Sequence, residues 1–265
     1  MICHPKQIRG LATVIVPFFN REDFLARTIT SILDQDYSKL QLILVDDGSR
    51  DLSYSIARSF SDPRIQYIRL TKRQGKSAAI NRALPLARGE WINFFDSDDL
   101  MTFNSLSVRI NFLRRNSKSL SVMGCIKDLI GDSDQTLLPA HPLNQYLKSA
   151  LHITKRLTKI GPLIPEFFAF GTCPLGPLNA TLFRKKIIDR VGAFNECFPP
   201  WEDREYLVRA AIRQPIPFID KPVLSYRVHN HNASFKMIGG KLRKNRPKTQ
   251  NVSPEQHFVN LIFKH

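Results

Sequence analysis

Two acidic runs follow two apolar runs in the first hundred residues: Asp46-Asp47-Gly48-Ser49 after LILV, and Asp96-Ser97-Asp98-Asp99 after WINFF. A third acidic pair, Glu202-Asp203, opens an amphipathic stretch, and His229 closes the sequence YRVH. Carboxylates gathered at one place repel one another unless a cation or a donor-rich ligand lies between them. Mg2+ and Mn2+ prefer carboxylate oxygens, and Mg2+ is commonly held by one or two carboxylates together with substrate phosphates. Asp96-Ser97-Asp98 has the Asp-x-Asp form that supplies such ligands. A carboxylate such as Asp203 can also take a proton from a hydroxyl. The competing account is structural, since Asp and Ser cap helices and shape turns and an acidic pair suits a helix start. One strand end of this kind fits either account, whereas two in one sheet favour a bound cation or ligand.

For these groups to meet, the chain must bring the ends of separate elements together. Short apolar runs at 12–16, 41–45, 65–70 and 90–95 read as strands, with amphipathic segments between them, the pattern of βαβ units and a mostly parallel sheet. In the first helix Leu25, Ile29, Ile32 and Leu33 share one face, with Asp23 as its expected cap. A helix over 77–86, ended by Arg88-Gly89, places Ala79, Ala83 and Leu86 together. Further on, helices are expected at 106–113, 185–191 and 202–213, and strands near 120–126, 179–183 and 223–228. Residues 128–177 show no sustained period. Ligands of open α/β sheets bind at the carboxyl ends of the strands, where both acidic runs fall.

Composition narrows the class. The 265 residues are 43% hydrophobic and 10% aromatic, enough for a large core, and no internal repeat is seen. With 39 Lys and Arg against 23 Asp and Glu, the formal net charge of +16 attracts anionic partners: a nucleotide-linked substrate, an acidic membrane surface or nucleic acid. The basic residues are scattered with no recognised nucleic-acid motif, so nucleic acid is not expected as a partner. Cys3, Cys125, Cys173 and Cys197 form no CxxC pair, which argues against a zinc site or a disulfide framework and suits a reducing cytoplasm. The apolar run 11–19 is short and contains Pro17, and the uncharged stretch 167–183 is interrupted by Gly and Pro, so neither reads as a membrane span. Residues 236–248 carry six basic residues and read as a mobile or surface-bound tail, suited to peripheral contact with an anionic membrane.

Taken in order, VIVPFFN, LVDDGSRD, RQGKSAAIN, ARGEWINFFDSDD and PPWEDREYLVRA resemble the signatures of family 2 glycosyltransferases. The likeness is strong over 13–99 and moderate over 179–229. It implies the glycosyltransferase-A fold: a mostly parallel nucleotide-binding sheet flanked by helices, with a C-terminal acceptor-binding part. On this reading residues 1–127 form the nucleotide-sugar half, 128–235 the acceptor-binding and catalytic half of the same domain, and 236–265 a basic tail. The implied activity is inverting transfer of a sugar from a nucleotide diphosphate donor, of UDP type, to a hydroxyl on a glycan or glycolipid acceptor.

Carried over to this chain, the resemblance puts Pro17, Phe18 and Phe19 under the nucleobase, with Asn20 beside them. Asp47 would accept from the base imide and Asp46 would orient the loop. Arg73 and Gly75 would border the ribose and diphosphate, although an exposed Arg73 could equally be a solvated charge. Asp98 would bind Mn2+ or Mg2+, Asp96 the ribose or the metal, and Ser97 lies between them. Asp99 would be a supporting acid. Asp203 is the expected base, with Glu202 and Trp201 toward the acceptor, and His229 would reach the metal or diphosphate. Asn195-Glu196 departs from the Asp-Glu frequent in the family after GxF. Rival readings are a catalytically inactive nucleotide-sugar-binding module, which intact Asp98 and Asp203 oppose, and a sugar nucleotidyltransferase, which would want a glycine-rich basic loop where PFFNRED stands. A dehydrogenase is excluded because no GxGxxG follows the first strand.

Overall fold

A computed structural model describes residues 6–137, 178–197 and 201–229, and the backbone of two further strands. The chain begins β1 (Ile8–Phe18), α1 (Leu25–Leu33), β2 (Leu40–Asp46), α2 (Ser53–Ser59), β3 (Ile65–Arg69), α3 (Lys76–Ala83) and β4 (Gly89–Phe94). It continues β5 (Leu100–Met101), α4 (Ser105–Arg115), β6 (Ser121–Ile130), β7 (Thr181–Arg184), α5 (Lys185–Val191), α6 (Glu202–Arg213) and β8 (Phe218–Arg227). The strands β1 to β8 form one eight-stranded sheet in the order β3-β2-β1-β4-β7-β6-β8-β5. The β3-β2-β1-β4 half is parallel throughout, β7 is antiparallel to both neighbours, and β6 and β8 run parallel. Residue 127 falls inside β6, so the two expected halves share a single sheet.

Burial explains why these runs are strands. Every residue of β2 is buried, as are residues 12–18 of β1, as expected for strands covered on both faces. Helix α1 packs with Leu25, Thr28, Ile29 and Ile32 inward. Asp23 does not cap it: the preceding residue is Phe24, without a side-chain cap, and the Arg21 carbonyl accepts from the Phe24 and Leu25 amides at 3.1 and 2.9 Å. That entry is fixed because residues 20–22 are laced to the loop after β2. The Arg21 amide donates to Ser53 Oγ at 2.6 Å, the Arg50 amide to Asn20 Oδ1 at 3.0 Å, and the Leu52 amide to Glu22 Oε2 at 2.8 Å.

The helix expected over 77–86 is α3 plus a 3-10 turn at Leu84–Leu86, where Pro85 cannot continue the α-helical hydrogen bonding. Gly89 does not terminate that helix; it opens β4, where it lies tight against β1. Strand β8 starts five residues before the expected 223, because Pro222 is accommodated where the β6–β8 register shifts. The basic segment expected to be a mobile or surface-bound tail includes an antiparallel pair, β9 (Phe235–Ile238) and β10 (Lys241–Lys244). Among the described residues no helix is long and apolar enough to cross a membrane.

One aromatic cluster joins the sheet to the last helix. Phe194 stacks on Tyr206 at 3.9 Å, and Phe94 meets both edge-on at 4.9 and 5.6 Å. Such pairs each add about 0.5–1.5 kcal/mol beyond burial. Phe94 lies two residues before Asp96 and Tyr206 three after Asp203, so the cluster places the start of α6 against the end of β4.

A Cβ built on Gly89 would lie 2.6 Å from both the backbone nitrogen and Oγ1 of Thr13. Gly89→Ala must therefore push β4 from β1, an overpacking cost of about 1–3 kcal/mol. Chemical denaturation should show this loss, and an unchanged midpoint would mean that the strand pair yields freely.

Candidate functional site

The carboxyl end of β4 lies against the first turn of α6, with Lys76 between Asp96 and Asp203. Three carboxylates stand at the end of β4, with ligand oxygens of Asp96, Asp98 and Asp99 all within 4.8 Å of one another. Each is held differently. Asp96 Oδ1 is 2.6 Å from Lys76 Nζ. Asp98 Oδ2 takes His229 Nε2 at 3.0 Å and Arg21 Nε at 3.3 Å. Asp99 is buried and accepts the Arg227 amide at 2.9 Å and Asn179 Nδ2 at 2.6 Å. Ser97 is also buried, and its carbonyl and that of Asp99 accept from Thr28 Oγ1 at 3.1 and 2.9 Å, pinning the loop to α1.

The electrostatics divide the three acids. Burial raises Asp99 well above the ordinary carboxylate range, and the charges of Asp98 and Asp96 add to it. Burial also raises Asp96, against the pull of Lys76. For Asp98 burial pushes upward, but the His229 hydrogen bond and the charges of Arg21, His229 and Lys76 together hold it below the usual value. Asp98 is thus the most readily ionised of the three, and Asp96 and Asp98 keep the accessible edges while Asp99 serves the loop. An all-oxygen cluster suits a hard divalent cation. Asp96 and Asp98 present the more accessible oxygens of the cluster, with His229 Nε2 beside Asp98.

At the end of β2, buried Asp46 accepts the Ser49 amide at 2.7 Å and lies 3.3 Å from Arg69 Nε, which orients the turn. Asp47 accepts the Gln74 and Gly75 amides at 2.6 and 2.8 Å, so its two oxygens already shape the loop before α3. Gly48, at φ +78°, sits where a Cβ would come within 2.9 Å of the 72–73 backbone. Pro17 and Phe18 are buried, Phe18 within the core, which removes Phe18 from the expected nucleobase floor. Phe19 is partly exposed, and the Arg73 guanidinium lies over its ring at 4.3 Å. Asn20, exposed at φ +51°, is spent on the Arg50 amide.

At the start of α6, Asp203 Oδ1 is 3.0 Å from Lys76 Nζ. Among the described residues Glu202 Oε2 and Trp201 Nε1 are buried without hydrogen-bond partners, although both residues are partly open to solvent. Burial pushes the Glu202 carboxyl up to about 7, the Asp203 charge adding and Lys76 opposing.

Four residues at this site were not singled out by sequence. Lys76 joins Asp96 to Asp203; Arg21 reaches Asp98; Asn179 holds Asp99. Arg227, fully buried, donates from Nε to the Asp98 carbonyl at 2.6 Å and from Nη1 to the Gly131 carbonyl at 2.6 Å, and also pairs with Asp134. The signal was present for Lys76 and Arg227, which lie inside the quoted RQGKSAAIN and YRVH. Nothing local marks Arg21 or Asn179.

A mixed α/β sheet with a carboxylate cluster beyond its parallel strands, opposed by an acidic helix start, defines a glycosyltransferase-A type fold. The family described as "Glycosyl transferase family 2" matches residues 13–192, and the chain belongs to that family. Over 109 residues it is 35% identical to the Escherichia coli "UDP-Glc:alpha-D-GlcNAc-diphosphoundecaprenol beta-1,3-glucosyltransferase WfgD", covering 41% of this chain and 43% of that protein. S. aureus TarS 1-349 in complex with UDP-GlcNAc superposes with a TM-score of 0.64 at 20% identity, covering 84% of this chain and 60% of that one. The mannosyltransferase PcManGT from Pyrobaculum calidifontis, in complex with GDP-Man and Mn2+, gives 0.60 at 22% identity, covering 80% and 54%. Alignments to the first curated relatives span 36% to 64% of those proteins' lengths.

The raised Glu202 carboxyl links the site to pH. With a folded value near 7 against an ordinary 4.5, its protonated form is favoured by folding. Its contribution is complete below about pH 4.5 and is lost as pH rises through 7. Glu202→Gln removes that loss, so the variant should gain about 1–3 kcal/mol over the parent at pH 8, with the gain shrinking toward pH 4.5. Melting curves across this range check it; a difference independent of pH would place the titration elsewhere.

Proposed function

We propose that this chain transfers a sugar, with inversion, from a UDP-sugar to a hydroxyl of a glycan or glycolipid acceptor. The supporting observation is the facing of two acidic sets: Asp96 and Asp98 beyond β4, and Asp203 at the start of α6, with Lys76 touching both sides. The first set lies where a donor diphosphate and its cation would sit, and the second where an acceptor hydroxyl would approach.

In the transfer, Asp203 takes the proton of the acceptor hydroxyl as its oxygen attacks the anomeric carbon. The bond from that carbon to the diphosphate oxygen breaks, and its electron pair leaves with the nucleoside diphosphate. An α-linked donor then gives a β-linked product. Asp98 and Asp96, with His229 beside them, would hold Mn2+ or Mg2+, which when bound supplies positive charge to the diphosphate. Phe19 offers its face to the base, with Arg73 and Gly75 at the ribose and diphosphate. The second lone pairs on the Asp47 oxygens remain able to accept from a uracil imide. Trp201 Nε1 and Glu202 Oε2, both without partners among the described residues, are suited to acceptor hydroxyls.

WfgD is named for a lipid-diphosphate-linked acceptor, and the TarS structure carries UDP-GlcNAc. These support a UDP-sugar donor and a glycolipid acceptor here. The +16 charge favours work at an anionic membrane face from the cytoplasmic side, with the basic C-terminal segment as the contact.

Two measurements test the assignment. Calorimetric UDP affinity of chelator-treated protein should rise when Mn2+ is added, and Asp98→Ala should abolish that rise; equal affinity with and without Mn2+ removes the metal site. Asp203→Asn should leave UDP affinity and melting temperature near those of the parent while turnover falls about 10²–10⁴-fold. Since Asn caps helices as well as Asp, turnover close to the parent would reduce Asp203 to a helix start.

A further inference from the structure

Lys76 is the first residue of α3, and its backbone is set from the opposite strand end. The preceding Gly75 adopts φ +99°, and its amide is held by Asp47 Oδ2 at 2.8 Å. From that fixed start the side chain spans the cleft, placing Nζ 2.6 Å from Asp96 Oδ1 and 3.0 Å from Asp203 Oδ1. Among the described residues, Lys76 is the hydrogen-bonding and ion-pairing partner of the Asp203 carboxylate. The aromatic cluster fixes the α6 backbone but not the χ angles of Asp203, which are left to this contact.

We propose that Lys76 is a positioning residue for the transfer step, tying the Asp203 carboxylate to Asp96 and thereby holding the base at a set distance from the donor. This rests on Asp203 being the base. Burial alone would lower the Lys76 ammonium, but Asp203, Asp96 and Glu202 outweigh it and hold the group well above the ordinary lysine value. Two of its three N–H donors go to the two carboxylates. Geometry of this kind matters because a misplacement near 1 Å costs about 10²-fold in rate. A lysine that only neutralised nearby acids would act on donor binding and stability, independently of Asp203.

The experiment is a double-mutant cycle on UDP release from UDP-glucose with Mn2+ at saturating donor, water serving as the nucleophile. The four proteins are the parent, Lys76→Met, Asp203→Asn and the double variant. Lys76→Met should lower turnover about 10–10²-fold. In the Asp203→Asn background the same change should cost less than about twofold, because a residue acting through the base has nothing left to position. Lys76→Arg keeps the charge and should recover most of the turnover; its smaller loss must also vanish in that background, which carries the comparison if Lys76→Met folds poorly. Losses that multiply in the double variant overturn the tie alone. Asp203→Asn turning over like the parent overturns both the base assignment and the tie.

Discussion

The structure depends on one electrostatic constraint, the repulsion among carboxylates drawn to one side of a cleft. At an effective dielectric near 20, two such charges about 5 Å apart repel by about 3 kcal/mol. Asp96, Asp98, Asp99, Glu202 and Asp203 would together be untenable without compensation. Lys76 and Arg21 supply full charges, His229 supplies a ring nitrogen, and the Arg227 amide with Asn179 Nδ2 supplies neutral donors to the most buried member. The compensation also sorts the acids by role. Asp99 is pushed toward its neutral form, whereas Asp98 is kept ionised at the edge where a cation would be received.

Holding these groups together is the work of elements far apart in sequence. Asp47 binds the backbone that launches Lys76, Thr28 pins the carbonyls of Ser97 and Asp99, and Arg227 ties the Asp98 carbonyl to the loop after β6. A buried relay runs behind them. Asn93 donates to the carbonyls of Asn179 and Thr181 and accepts from Arg109, a fully buried arginine whose value burial lowers to about 9. The loop carboxylates are thus set by the interior of the sheet as much as by the strand ends that carry them.

Much of this was legible in the chain because it is local. Strand β2 carries the apolar run 42–45 directly before Asp46, and β4 leads through Phe94 and Phe95 into Asp96, so the strand pattern put both acid groups at one rim. Helices α5 and α6 were found within their observed bounds for the same reason. Local signals failed where a distant partner decides the outcome. Asp23 looked like a cap, but the contacts of residues 20–22 with the loop after β2 dictate how α1 begins. PFF read as one aromatic floor, yet β1 alternates its faces and Phe18 enters the core. Lys76 and Arg21 were not singled out, because their carboxylate partners lie 20 to 127 positions away and no periodicity encodes such a pairing.

The aromatic cluster has an evolutionary corollary. Phe94 and Tyr206 each stand within three residues of a carboxylate assigned to the proposed transfer, and their ring centroids lie 5.6 Å apart. The gap between the two halves of the chemistry is therefore measured across one hydrophobic joint, not along the intervening chain. Residues 138–177 lie between those two anchors in sequence. Substitutions elsewhere that spare these packed rings leave the spacing of Asp96 and Asp203 as it is, and substitutions within them change it.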